Sequence, residues 1–162
     1  MNCRAFILIV MLASPSPVYP QDSTSHLATT VTPVPQKLPD GDDAWALDLV
    51  TSGGFDGMGN GKFSVNSSGM LICSSTKHKC PDQLTATALN NLADKVKAAA
   101  AVPWEVSTER GLCSDCVVFR LQLRMRQADG STKTLIASWD TASRGVPEQL
   151  RAVVNTLTDF GK

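Results

Sequence analysis

The chain has 162 residues, 43% of them hydrophobic, and its 15 basic and 15 acidic residues give a formal net charge of zero. That length and composition suit one domain with a modest core. The balanced charge removes the electrostatic drive that carries a basic protein onto nucleic acid or an anionic membrane.

Residues 1–20 read as a secretory signal. Arg4 supplies the positive start, and the apolar run Ala5–Ala13 is too short to span a bilayer. The segment Ser14–Pro20 (SPSPVYP) offers no clean Ala-x-Ala, so the mature chain is expected to begin between Ser14 and Ser23. The expectation is a secreted or periplasmic protein with no stable membrane insertion after signal removal. Cys3 precedes the apolar run, where no lipid anchor is attached. Losing it leaves Cys73, Cys80, Cys113 and Cys116. An even count in an exported chain favours two disulfides. Of the three connectivities, the local pairs Cys73–Cys80 and Cys113–Cys116 are preferred; the others would tie the two halves of the domain together.

Residues 21–43 are rich in Ser, Thr and Pro and carry few large apolar side chains. Such a stretch buries too little surface to offset its ordering entropy and reads as a flexible tether, with His26 solvated in it. Asp40-Gly41-Asp42-Asp43 lacks the ligand spacing and terminal Glu of a calcium loop. A single domain is expected over 44–162.

Trp45, Leu47 and Leu49 alternate with Ala46, Asp48 and Val50, the period of a half-buried strand. After the glycine-rich stretch 51–62 (TSGGFDGMGNGK), Phe63 and Val65 alternate with Ser64 and Asn66. Ser67-Ser68-Gly69 is a turn and Met70–Cys73 a third strand. The period then lengthens. Pro81 and Asp82 suit a first helical turn, and Leu84, Ala88, Leu92 and Val96 follow at steps of four, predicting a helix over 84–101 that ends before Pro103. Residues 116–126 alternate cleanly, with Val117, Phe119, Leu121, Leu123 and Met125 opposite Arg120, Gln122, Arg124 and Arg126. Ala128-Asp129-Gly130 is a hairpin turn, and the return strand covers 132–139. Val146-Pro147-Glu148 opens a second helix with Leu150, Val153, Val154 and Leu157 on its apolar face. The order β-β-β-α-β-β-α predicts an α+β fold: an antiparallel sheet of four to five strands, both helices on one face, the other face open and polar around the arginine row.

Enzyme chemistry is poorly supplied. Gly57-x-Gly59-x-Gly61 runs into a strand, whereas a phosphate loop needs a helix N-terminus immediately after its glycines. Cys113-x-x-Cys116 likewise runs into a strand, not the helix start that activates a redox thiol. Cys73 and Cys80 are spaced too widely for a zinc knuckle. The two histidines, His26 and His78, fit no hydrolytic motif. Asn66-Ser67-Ser68 matches a glycosylation sequon. The reading is a non-enzyme without cofactor, with Phe55 and Met58 set on an unusually pliant backbone.

Thr51–Gly57 (TSGGFDG) after a strand resembles the Ser-Gly-Gly-Phe-Ala-Gly signature of the emfourin family, protein inhibitors of protealysin and similar thermolysin-like metallopeptidases. The helix over 84–101, Asp115–Leu121, the Gly130 hairpin and Gly145–Val154 fall where that family has corresponding elements, so the resemblance covers about 45–160. It implies non-covalent occlusion of a secreted or periplasmic metallopeptidase by loop 52–61, with Ser52, Gly53, Gly54, Phe55, Asp56, Gly57, Met58 and Asn60 as partner-binding residues. Phe55 or Met58 would fill the apolar subsite beside the zinc. The rival reading is an exported binding module that docks through the arginine-bearing sheet face. A third, a cysteine-based metal or redox protein, would require free thiols.

Overall fold

A computed structural model describes residues 36–54, 59, 61–75, 80–106 and 115–160. Residues 1–35, over which a signal and a tether are expected, lie outside the described residues, as do His78 and Cys113. The elements are β1 (Trp45–Gly53), β2 (Gly61–Asn66), β3 (Leu71–Ser75), α1 (Ala86–Ala100), β4 (Val117–Arg126), β5 (Thr132–Asp140) and α2 (Glu148–Asp159). They follow the predicted order, and the five strands form one antiparallel sheet in the order β3-β2-β1-β4-β5.

Register sorts the strand residues into two faces. Leu47 pairs with Val65 and Leu123, and Leu49 with Phe63 and Leu121; Leu121 in turn pairs with Ala137. These side chains are buried with Leu92, Val96 and Ala99 of α1 and with Leu150, Val153, Val154 and Leu157 of α2, the four α2 residues that the periodicity marks. Both helices thus cover one face. Phe119 and Trp139 stack on it with ring centroids 5.7 Å apart, and Lys95 Nζ on α1 donates to Thr156 Oγ1 on α2 at 2.7 Å.

Helix α1 begins later than its apolar stripe suggests. Leu71 N–H donates to Asp82 O, Leu84 N–H to Gly69 O, and Met70 bridges Gln83. Pro81–Leu84 is therefore extended chain against the turn after β2. The start is set by Thr85, whose hydroxyl accepts from the Ala88 amide, the bond that an N-cap supplies to an otherwise unpaired donor. At the other end the helix stops at Ala101, as Pro103 dictates, and Trp104 turns back to donate its indole N–H to Ala99 O at 2.8 Å.

The two hairpin turns obey their sequences. Gly69 and Gly130 have φ of 85° and 79°, conformations that favour glycine. The Asn66 side-chain oxygen accepts from the Ser68 amide, the Ser68 hydroxyl and the Met70 amide. Asn66 is buried, and its side-chain oxygen holds the turn together.

Candidate functional site

The glycine-rich loop leaves the sheet between two fixed posts. Gly53 and Gly54 have φ of 91° and 77°. A Cβ at Gly53 would stand 2.5 Å from Cys116 O, and one at Gly59 would meet Val117 Cγ2 at 2.6 Å and Gly53 O at 2.7 Å. No side chain fits at either place without backbone movement. The Gly54 amide donates to Cys116 O at 3.1 Å and the Gly59 amide to Gly53 O at 3.0 Å, so the two ends of the loop are tied to each other and to the start of β4. Ser52, on the same end of β1, is exposed and pairs with Val118. Phe55, Asp56, Gly57, Met58 and Asn60 lie outside the described residues.

The cysteines fall at the same end of the sheet, since Gly53 registers with Val117 and Gly61 with Ser75. Cys73 and Cys80 form the predicted disulfide. Cys116 is disulfide-bonded as well, to a residue outside the described ones. The Cys73–Cys80 bond leaves neither of those sulfurs free to bind a metal or take part in thiol exchange. No helix among the described residues is long and apolar enough to cross a membrane.

The face away from the helices departs from the expected open arginine row. Asp48 is buried although it points to that face: the Ser64 hydroxyl donates to its Oδ1 and Arg124 donates to its Oδ2 at 3.1 Å. Over this cluster lies Gln36, only 8% exposed, whose side-chain nitrogen donates to Ser64 O while its main-chain carbonyl accepts from Arg124 at 2.6 Å. Two expectations change. The stretch 36–43, assigned to a flexible tether, ends in a strap that returns over the sheet, with Gly41 at its bend. And β1 is covered on both faces over its first five residues, not half-buried. The physical reason is the buried carboxylate: alternation marks Asp48 as solvated, but Arg124 neutralises it and Gln36 shields both.

The arginines therefore separate into different roles. Arg124 is structural. Arg126 lines a groove of about 400 Å³ between α1 and the strand ends, shared with Asp43, Trp45, Asp94, Lys97 and Met125. Arg120 is exposed on the part of the face that the strap leaves uncovered. Sequence reasoning passed over Gln36, Ser64 and the Val117 post; a polar Asp at a central strand position, with an Arg available to pair with it, is the signal that would have found the cluster.

No protein-family model matches the chain, nor does any curated protein or solved structure.

Proposed function

We propose that this chain is an exported, non-enzymatic binding domain whose β1–β2 loop enters the active-site cleft of a thermolysin-like metallopeptidase and blocks it without covalent reaction. The observation that carries the reading is the pair of glycine posts. A loop whose ends are locked by Gly53, Gly54 and Gly59 against Cys116 and Val117 loses less freedom on binding than a free peptide of the same sequence. Between the posts the sequence places Phe55 and Met58, of the size and apolarity that such clefts accept, and the resemblance of TSGGFDG to the emfourin signature points the same way. The Cys73–Cys80 disulfide fits an oxidising compartment, where a secreted or periplasmic peptidase would be met.

The test is incubation of the secreted domain with a panel of thermolysin-like peptidases, reading residual activity. Phe55→Ala combined with Met58→Ala should weaken inhibition at least tenfold, an energy of about 1.4 kcal/mol or more, with the thermal melt nearly unmoved. An inhibition constant indifferent to both substitutions would overturn the reading.

A further inference from the structure

The strap at Gln36 covers part of the helix-free face of the sheet. Beneath it lie Asp48, Ser64 and Arg124; beyond it, toward the glycine loop, the face carries Lys62, Val50 and Arg120 in register on β2, β1 and β4. Val118 and Ile136 flank them at 41% and 48% exposure. Lys62 and Arg120 stand two strands apart, roughly 10 Å at the backbone, with half-buried Val50 between them. Among the described residues neither cation makes an ion pair or a side-chain hydrogen bond. Asp140, opposite Val118, accepts at its Oδ1 from the Ala142 amide and the Ser143 hydroxyl, and Asp48 is held by Arg124 and Ser64. Val118 and Ile136 thus stand exposed beside two cations that have no ion-pair partner among the described residues, an arrangement of apolar and positive groups on one open face.

We infer that this half-face, Lys62–Val50–Arg120 with Val118 and Ile136, is a docking surface for an acidic polypeptide segment that carries apolar side chains between its carboxylates. Charge complementarity selects that partner. Lys62 and Arg120 take the carboxylates, and Val118 and Ile136 take the apolar groups. A second copy of this chain would set the same cations against each other. The surface is separate from the loop reading and stands or falls by itself.

The probe is a short synthetic peptide of alternating Glu and Leu, added to the folded protein while backbone amide signals are followed by NMR. Shifts centred on Lys62, Val50, Arg120 and Ile136 are expected, weakening as salt screens the pairs. A Lys–Leu peptide of the same length should leave those signals unmoved. Lys62→Glu with Arg120→Glu should weaken binding at least about tenfold while the melting temperature holds, since neither side chain has a partner among the described residues. Equal binding of the Lys–Leu peptide, or shifts centred elsewhere, would overturn the inference. So would shifts that grow with protein concentration alone, which mark self-association, or binding to anionic lipid vesicles but not to the Glu–Leu peptide.

Discussion

The Gly54 amide and the Cys116 carbonyl are joined by a 3.1 Å hydrogen bond, so the chain entering the glycine-rich loop is fastened to the residue that introduces β4. The loop base is thus part of the rigid sheet end.

From that contact, Gly53→Ala should be costly. The new methyl would meet Cys116 O at 2.5 Å and the residue would have to hold a φ of 91°. A loss of about 1–3 kcal/mol is expected from the backbone strain. Gly130→Ala also sits at positive φ but has open space around it. Urea denaturation of the two variants should show Gly53→Ala as the more destabilised; equal losses would mean that the close approach is relieved easily.

Removing one member of the Asp48–Arg124 pair strands the other in a site nearly closed to water. Asp48→Ala should cost about 3 kcal/mol, as should Arg124→Ala, while the double variant should lose less than the two single losses together. The coupling is read from a double-mutant cycle in denaturant. It also explains why charge reversal at Arg124 is a poor probe of surface docking: the variant would report folding.

The Cys73–Cys80 bond closes a short loop, with the cysteines 7 residues apart in sequence. Replacing both with serine should cost about 2–3 kcal/mol on a chain-entropy estimate, measured as a lowered denaturation midpoint. The gap should vanish when the parent protein is compared under strong reductant.

The Asp129 carboxyl is held below the ordinary aspartate range by hydrogen bonds from Ser131, first its hydroxyl and then its backbone amide. A group whose folded pKa is depressed stabilises the fold above its unfolded pKa and loses that contribution as pH falls through the folded one. The β4–β5 turn should therefore loosen only in acid. A carboxyl titration by NMR should place Asp129 below an exposed aspartate of the same chain, and Ser131→Ala should raise it.

The periodic elements were legible because burial there follows from side-chain direction alone. Leu150, Val153, Val154 and Leu157 had to face the sheet, and Val117 to Met125 had to alternate. Thr85 escaped notice because Pro81 and Asp82 make an equally good helix start in isolation. Only the pairing of Leu71 with Asp82 and of Leu84 with Gly69 draws those residues into extended chain. The strap escaped for a related reason. Its hold on the sheet comes from Gln36, a residue without hydrophobic signal, reaching partners 28 and 88 positions away. Of the candidate loop, glycine spacing revealed that the backbone is special but not what it avoids: the Cys116 carbonyl and Val117 side chain that make glycine obligatory come from a distant strand.

The placement of β1 at the middle of the sheet has a consequence for how the protein is made. β1 and β2 emerge from the ribosome together and can pair at once, but the other edge of β1 is completed by Val117–Arg126, which emerges much later. Until then a strand rich in leucine and tryptophan waits with a row of unpaired amides, the kind of edge on which chains aggregate. Asp48 sits in the middle of that edge. Before Arg124 arrives its charge is a guard against wrong partners, and afterwards the same carboxylate becomes the anchor for the right one.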